Sequence, residues 1–287
     1  MKDFFFKMIN RSGVALACLG SAILFYLILI IGYSAVDTKN GSETTDVLVF
    51  GDSVFGECRD ETGIVNILAT SLGENVLNCS IGGTCMTKSR DSRAAYTMDT
   101  LSMFNLAVAM ESEDFGPQKT FFNRISVLYY EKDVLESLQT LDYSRVKKVI
   151  LCYGLNDYHQ GVTVKNDEDP EDINTFFGAY SATVKRLEKL CPKAEIILVT
   201  SPFSWYPAYG DDKNCENMDF GGGYLIDYVE ATQEIGEKYS LKVVDLYHTQ
   251  YGARAFYDRD IYTNDGLHPN ELGRGNIART VFKKIRE

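Results

Sequence analysis

The sequence predicts an α/β protein, a three-layer α/β/α sandwich around a mainly parallel sheet. Short, β-branched apolar segments alternate with amphipathic helical segments, which is the order expected of this class. The apolar segments are nearly continuous rather than alternating, as in parallel strands that are covered on both faces. The five predicted strands are residues 46–50, 75–79, 147–153, 195–201 and 241–247.

Three helices are predicted around these strands. Residues 172–190, 225–239 and 270–285 have helical periodicity, and Asn270 is typical of a helix start. The first of them carries one apolar stripe, formed by Ile173, Phe176, Phe177, Tyr180, Val184, Leu187 and Leu190. Residues 86–145 form a longer excursion of mixed helical character, interpreted as an insertion or lid.

Charge and composition exclude some classes of protein. The chain has 287 residues, of which 45% are hydrophobic, as in ordinary globular proteins. Its 40 acidic residues outnumber 29 basic residues, so the formal net charge is -11. A surface this acidic repels phosphate backbones, which argues against nucleic acid as a partner.

An uncharged run from Ser12 to Val36 predicts one N-terminal transmembrane helix, because it is long enough to cross the hydrocarbon core. Lys2, Lys7 and Arg11 precede it, so the positive-inside rule places the N-terminus in the cytoplasm. The predicted organisation is a cytoplasmic N-terminus at 1–13, a transmembrane helix or uncleaved signal anchor at 14–36, a linker at 37–45 and one domain at 46–287. The expected location is the cell membrane, single-pass, with the domain extracytoplasmic.

A cleaved secretory signal is the alternative interpretation of this run. Gly32 and Ser34 could supply the small residues of a cleavage site, although the apolar run exceeds the usual length of a signal core. In that case the domain would be secreted.

Two motifs predict a serine nucleophile and its base. Ser53 follows the first strand directly, at the carboxyl edge where open α/β sheets place their sites. A serine there is also a common helix N-cap. Asp265 stands three residues before His268, close enough to orient its imidazole, and the chain order is that of a Ser, Asp, His hydrolytic triad.

Two further strand ends offer hydrogen-bond donors. Gly83 follows the second strand and can present a backbone N–H, and Asn156 follows the third with a side-chain amide. Together with the N–H of Ser53 they would surround an oxyanion. A Gly-Gly pair or an Asn-Asp pair alone is equally typical of a turn, and Gly82 is the alternative donor.

These four blocks resemble the SGNH hydrolases, or GDSL-like lipase/acylhydrolase family, from residue 46 onward. The chain reads GDSV at Ser53, NCSIGG at Gly83, GLND at Asn156 and DGLHPN at Asp265 and His268. The resemblance implies a flavodoxin-like sheet, a serine nucleophile, a histidine base oriented by aspartate, and an oxyanion hole from serine, glycine and asparagine. The chain departs from the family in GDSV for GDSL, in the glycine pair and in the 86–145 segment.

The function expected from this resemblance is a serine esterase that acts by two-step acyl transfer, without a metal or organic cofactor. Its expected substrate is an acylated glycan or a small acyl ester, and O-deacetylation of glycans is the favoured case. An O-acyltransferase and a lipid or lysophospholipid esterase are the alternatives. A non-catalytic glycan-binding module is disfavoured because no member of the triad or oxyanion hole is missing.

An aromatic segment after the fourth strand is a candidate substrate-binding loop. Phe203, Trp205 and Tyr206 could stack on a sugar or line an acyl pocket, or they could pack the loop onto the domain. Asp157 and His159 also lie at this edge, and the sequence predicts a turn cap and a surface histidine.

Cysteine usage allows one disulfide. An exported domain permits disulfides, and Cys58 and Cys85 both closely follow motifs at the same edge, so a bridge between them is conceivable. Cys79 and Cys152 lie within predicted core strands, where free thiols are usual.

Overall fold

A five-stranded parallel sheet forms the centre of the protein in the computed structural model, which describes residues 45–88, 98–122, 130–250, 254 and 256–287. The predicted cytoplasmic N-terminus and transmembrane helix, and the linker as far as residue 44, lie outside the described residues. No helix within the described ranges is long and apolar enough to cross a membrane.

The five predicted strands are confirmed, each within the predicted limits or one residue beyond them. They are β1 (Val47–Gly51), β2 (Val76–Asn78), β3 (Lys148–Cys152), β4 (Glu195–Val199) and β5 (Lys242–Val244). The spatial order is β2-β1-β3-β4-β5, and every neighbouring pair is parallel. The order reverses between β1 and β3, so the carboxyl ends of these two strands flank the crevice in which open α/β sheets bind ligands.

Eleven α-helices lie in the part of the chain that the structure describes. They are α1 (Ser53–Gly56), α2 (Ile64–Leu72), α3 (Met103–Ser112), α4 (Gly116–Phe122), α5 (Tyr130–Thr140), α6 (Leu155–His159), α7 (Phe176–Leu190), α8 (Leu225–Tyr239), α9 (Leu246–Thr249), α10 (Phe256–Tyr262) and α11 (Glu271–Arg286). Short 3₁₀ turns occur at Met98–Leu101, Tyr143–Arg145 and Pro207–Tyr209.

The longer helices pack in two groups. Helix α2 packs against α11, whereas α7 packs against both α3 and α8. The β1-to-β2 crossover runs in the opposite direction across the sheet to the β3-to-β4 crossover, so right-handed connections place α2 and α7 on opposite faces. The three central strands β1, β3 and β4 are accordingly buried along almost their whole length, which explains their continuous apolar sequences. The edge strands β2 and β5 are only partly buried.

The predicted helix at 172–190 begins four residues later than expected, at Phe176. The Thr175 side chain caps it by accepting a hydrogen bond from Gly178 N at 3.2 Å. Asp172 instead accepts a hydrogen bond from Asn174 N at 2.9 Å, which holds residues 172–174 in a turn. Ile173 therefore packs against the core from this turn and not from the helix.

The 86–145 excursion is an integral part of the domain in its described portions. Met103, Leu106 and Met110 on α3 are fully buried in the core, and α3 packs along α7. Arg186 on α7 pairs with Glu111 on α3, with 3.0 Å between nitrogen and oxygen. The described helices of this segment thus extend one layer of the sandwich.

The conceivable bridge between Cys58 and Cys85 is wrong. All six cysteines in the described residues are free thiols. Cys58 Sγ hydrogen-bonds to Asp60 Oδ1 at 3.2 Å within its own loop, whereas Cys85 is buried.

Two helical glycines give opposite predictions for stability. A β-carbon on Gly178 would lie 2.1 Å from the Asp172 carbonyl oxygen, so Gly178→Ala should lower the free energy of unfolding by about 1–3 kcal/mol. A β-carbon on Gly275 would meet only Arg279 Nη1, at 3.6 Å, so Gly275→Ala should raise it by roughly 0.5–1 kcal/mol. Urea unfolding measures both changes, and a stable Gly178→Ala variant would contradict the close packing of the 172–175 turn on α7.

Candidate active site

The turn from β1 into α1 places Ser53 at the first position of a helix. Asp52 is the N-cap, and its Oδ1 accepts a hydrogen bond from Val54 N at 2.9 Å. This cap leaves the backbone N–H of Ser53 without a partner among the described residues, as expected at a helix N-terminus. Ser53 therefore presents a hydroxyl and a free N–H from the same residue.

The loop before α11 brings an imidazole onto Ser53. His268 Nε2 lies 3.0 Å from Ser53 Oγ, although the two residues are 215 positions apart in the chain. His268 Nδ1 lies 2.7 Å from Asp265 Oδ2. The other oxygen, Asp265 Oδ1, accepts hydrogen bonds from the backbone N–H groups of Leu267 and His268 at 2.9 and 2.8 Å. These bonds orient the carboxylate toward the imidazole.

Two connections hold this loop against the sheet edge. Trp205 N, in the segment after β4, donates a hydrogen bond to Gly266 O at 3.0 Å. Arg274 on α11 donates to both Thr62 O and Pro269 O, at 2.9 and 3.0 Å. The histidine loop is therefore tied to both the β4 exit and the loop that follows α1.

The chain leaving β2 continues alongside β1 and then turns beside Ser53. Ile81 N donates to Gly51 O at 2.9 Å, and the turn that follows includes Gly83 with φ of +74°, a conformation that favours glycine. A β-carbon on Gly82 would lie 3.6 Å from the Ser53 β-carbon. Both predicted donor candidates, Gly82 and Gly83, thus lie on the turn beside the serine.

The two glycines differ in whether their N–H group is free. Gly82 N donates to the Tyr130 hydroxyl at 3.4 Å, whereas Gly83 N has no partner among the described residues. The structure therefore favours Gly83 as the free donor.

Asn156 is fixed to the same turn from the opposite side. It lies in the first turn of α6, directly after β3, and its Nδ2 donates a hydrogen bond to Thr84 O at 3.1 Å. Its second Nδ2 hydrogen has no protein acceptor among the described residues. Ser53, Gly83 and Asn156 thus each contribute an N–H at this edge, an arrangement that can stabilise an oxyanion.

Asp157 does more than cap its own turn, which corrects the sequence interpretation. Its side chain is fully buried and accepts hydrogen bonds from Met86 N and Thr87 N at 2.8 and 3.0 Å. These residues lie about 70 positions earlier in the chain. Asp157 therefore connects α6 to the segment that follows the glycine turn.

The contact between His268 and Asp265 shifts the pKa of both residues. Burial alone would lower the pKa of His268, but the hydrogen bond and charge of Asp265, with smaller contributions from Glu57 and Asp52, raise it above its usual value. Burial alone would raise the pKa of Asp265, but hydrogen bonds from His268 and Leu267 outweigh it and lower that pKa. The aspartate therefore stays ionised and favours the protonated imidazole.

Two buried carboxyl groups, those of Asp52 and Asp157, lie next to Ser53 and Asn156 in the chain. Burial raises the pKa of Asp52 to about 7 and that of Asp157 to about 6, although backbone hydrogen bonds oppose the shift in both. The charge of Asp157 further raises the pKa of Asp52, and the charge of His268 lowers it. No group of three or more potential ligands in the described ranges is placed to hold a metal ion.

The excursion supplies a site residue that the sequence analysis did not identify. Tyr130, at the start of α5, accepts the hydrogen bond from Gly82 N, and the Arg59 guanidinium lies 4.0 Å from the centre of its ring. Arg59 also donates to the carbonyls of Asn78 and Ser80 at 3.1 and 2.6 Å. No sequence signal marks Tyr130, because its role depends on where the excursion returns to the sheet.

The aromatic loop packs inward and does not offer ring faces to a substrate. Phe203, Trp205 and Tyr206 are 2%, 3% and 5% exposed, so the packing interpretation describes them and the expected substrate contact is not supported. Tyr206 instead hydrogen-bonds through its hydroxyl to His159 Nε2 at 2.9 Å. His159 is half-buried, which corrects the prediction of a surface histidine.

A second Asp-x-x-His pair also escaped the sequence analysis. Asp245 follows β5, and its Oδ2 lies 2.7 Å from His248 Nδ1, while its Oδ1 accepts from His248 N at 2.9 Å. This local geometry matches that of Asp265 and His268. No serine hydroxyl in the described residues is within hydrogen-bond reach of His248 Nε2, so this pair lacks a nucleophile.

The parallel α/β sheet brings Ser53, His268 and Asp265 together at its switch point, in the geometry by which serine acyl-transfer enzymes are recognised. The chain belongs to the GDSL-like lipase/acylhydrolase (SGNH) family, whose sequence model matches residues 49–274. It is an ester-cleaving hydrolase. No curated protein matches the sequence.

Solved structures share this fold. A protein from Lactobacillus plantarum has a TM-score of 0.59 at 18% identity, over 86% of this chain and 98% of that one. The acetyl xylan esterase AlAXEase has a TM-score of 0.52 at 18% identity, over 84% and 99%. The salicylyl-acyltransferase SsfX3 from a tetracycline biosynthetic pathway has a TM-score of 0.51 at 13% identity, over 86% and 56%. At these identities the likeness shows the fold alone.

Glu57 provides a test of the electrostatics of the site. Its exposed carboxylate lies 3.9 Å from His268 Nε2 and helps to raise the pKa of His268. If His268 is the catalytic base, it must be neutral to accept a proton, and activity should then rise as pH increases through this pKa. Because Glu57→Gln removes a charge that favours the imidazolium, it should move the acid limb of the kcat/KM profile to lower pH by roughly 0.2–0.7 units.

Glu61→Gln, which neutralises an exposed carboxylate four residues further on, is the matched control and should leave the limb in place. A limb that stayed fixed or moved to higher pH in Glu57→Gln would contradict the charge interaction.

Proposed function

We propose that this protein is a serine esterase in which Ser53 is the nucleophile, His268 the general base and Asp265 the residue that orients the base. The observation that carries the proposal is the continuous chain of contacts from Ser53 Oγ to His268 Nε2, at 3.0 Å, and from His268 Nδ1 to Asp265 Oδ2, at 2.7 Å. Both distances allow proton transfer or hydrogen bonding without rearrangement.

In the first half-reaction, His268 removes the proton from Ser53 Oγ as this oxygen attacks the ester carbonyl. The carbonyl oxygen becomes an oxyanion, which accepts hydrogen bonds from Ser53 N, Gly83 N and Asn156 Nδ2. The imidazolium, stabilised by Asp265, then donates its proton to the departing alcohol oxygen as the bond to the carbonyl carbon breaks. The product is an acyl-serine and a free alcohol.

In the second half-reaction, His268 removes a proton from water as this water attacks the acyl-serine carbonyl. The same three donors hold the second oxyanion. His268 then returns the proton to Ser53 Oγ, which releases the carboxylic acid and restores the enzyme.

The proposed substrate is a short-chain ester, with O-acetylated glycan as the favoured case. The Tyr130 hydroxyl, which accepts a hydrogen bond from Gly82 N on the turn beside Ser53, supports a short acyl group because it is a polar group in this wall. A long alkyl chain would require an apolar channel at this point. The net charge of -11 also disfavours anionic substrates.

Alanine variants test the proposed roles of Ser53 and His268, and the Asp245–His248 pair provides an internal control. Ser53→Ala and His268→Ala should each lower kcat for p-nitrophenyl acetate by about 10³-fold or more, because each removes a member of one proton-transfer unit. His248→Ala removes the imidazole of the matching Asp245 pair and should retain parental kcat. Parental activity in Ser53→Ala would overturn the proposal.

A product assay distinguishes hydrolysis from the alternative functions. The protein is incubated with acetylated glycan, with and without a second glycan as acceptor, and the products are identified. Release of free acetate in both cases supports hydrolysis, whereas acetyl transfer to the acceptor would identify an acyltransferase. Cleavage restricted to long-chain esters would identify a lipid esterase, and absence of turnover with intact folding would identify a binding module.

We further propose that the uncharged run at 14–36 anchors the protein in the cell membrane, with residues 1–13 cytoplasmic and the hydrolase domain outside. The run of 25 uncharged residues from Ser12 to Val36 and the preceding Lys2, Lys7 and Arg11 support this topology. The full-length chain should stay with membranes during alkaline carbonate extraction, and protease added outside intact cells should digest the domain. Recovery of a shortened chain from the medium would instead identify a cleaved signal.

A further inference from the structure

His159 lies one helical turn beyond a member of the proposed oxyanion hole. Asn156 and His159 are three positions apart on α6, so their side chains emerge from the same side of the helix. The backbone that carries Tyr206, the partner of His159, is joined to the histidine loop through the hydrogen bond from Trp205 N to Gly266 O. His159 is thereby connected both to Asn156, in the proposed oxyanion hole, and to the loop that carries His268.

A buried network holds the His159 ring in one orientation. Its Nε2 lies 2.9 Å from the Tyr206 hydroxyl, which in turn lies 2.8 Å from Ser204 Oγ. Tyr206 and Ser204 are 5% and 1% exposed, so this end of the network is inaccessible to solvent. The Phe220 ring packs edge-on against the imidazole at a centroid distance of 5.3 Å.

The other ring nitrogen is available to a ligand. His159 Nδ1 has no protein partner among the residues that the structure describes, and the side chain is only partly buried. Burial, with a contribution from the positive charge of His268, lowers the pKa of His159 to about 4. The ring is therefore neutral at physiological pH. Its free nitrogen is a donor in one tautomer and an acceptor in the other, and a hydroxyl group can pair with either.

The bond between the Trp205 segment and the histidine loop indicates which part of an ester His159 would meet. In the proposed mechanism His268 protonates the departing alcohol oxygen, so the alcohol part of the substrate lies on the His268 side of Ser53. His159 is connected to this side as well, because its partner Tyr206 directly follows Trp205, whose N–H donates to Gly266 O in the histidine loop. An aromatic rim continues outward from it, because Tyr209 is 64% exposed and packs edge-on against Phe220 at 6.2 Å.

We propose that His159 is a specificity-determining residue that hydrogen-bonds through Nδ1 to a second hydroxyl group on the alcohol part of the ester. The ligand class is a polyhydroxylated alcohol such as a pyranose, whose hydroxyls pair with His159 and whose apolar face contacts Phe220 and Tyr209. This inference rests on the proposed function, because it takes the alcohol side of the site from the roles of Ser53 and His268.

Two esters that differ by one hydroxyl test this contact directly. The wild-type protein should show a higher kcat/KM for 2-hydroxyethyl acetate than for ethyl acetate. His159→Phe keeps an aromatic ring but removes both nitrogens, so it should lower this preference by roughly tenfold, the loss typical of one hydrogen bond that leaves a polar group unpaired. His159→Gln, which retains hydrogen-bonding atoms, should restore part of the preference. With a monoacetylated methyl xyloside in place of 2-hydroxyethyl acetate, His159→Phe should cause a larger loss of preference over ethyl acetate.

The controls separate a contact with substrate from a structural role. His248→Phe changes a histidine outside the proposed site and should leave the preference at the wild-type value. Equal losses on both esters in His159→Phe would overturn the proposal, because they would indicate a structural effect, and so would an unchanged preference. Failure of the proposed function gives a different result, namely activity on ethyl acetate that persists in Ser53→Ala.

Discussion

The parallel pairing of β1 with β3 is the constraint on which the site depends. In this register Gly51 lies opposite Cys152, so Ser53 and Asn156 emerge from adjacent strand ends at the point where the strand order reverses. The chain leaving β2 remains bonded to β1 as far as Ile81, whose N–H donates to Gly51 O. A slip of one residue between β1 and β3 would turn the side chains of one strand to the opposite face and move Asn156 away from Ser53.

The local Asp-x-x-His geometry is sufficient to form an Asp-His pair. It does not by itself bring a serine hydroxyl to the histidine. The pairs at Asp245 and Asp265 have the same spacing and the same 2.7 Å contact between aspartate Oδ2 and histidine Nδ1. They differ in what lies beyond Nε2, because only His268 meets a serine hydroxyl among the described residues. The difference arises from the packing of the α11 loop against the β1 exit, in which Arg274 bonds to Thr62 and Pro269.

Buried carboxyl groups connect the chemistry of the site to its architecture. Asp52 caps the helix that carries Ser53, and Asp157 binds the backbone of Met86 and Thr87 at the beginning of the excursion. Desolvation raises the pKa of each, and their charges interact with each other and, for Asp52, with His268. The same groups that hold the loops in place therefore contribute to the electrostatic field around the proposed base.

The sequence by itself determined the five strands, the helices at 225–239 and 270–285 and the four motifs, because hydrophobic periodicity, capping residues and strand-end positions are local properties of the chain. Only the tertiary structure decided which glycine keeps a free N–H, that Tyr130 returns to the glycine turn and that the aromatic loop faces the core. The tertiary structure also determined the hydrogen bond between His159 and Tyr206 and the one that Asp157 accepts from Met86 N. The hydrogen bonds among these contacts link residues 47 to 71 positions apart, so packing rather than local pattern determines them.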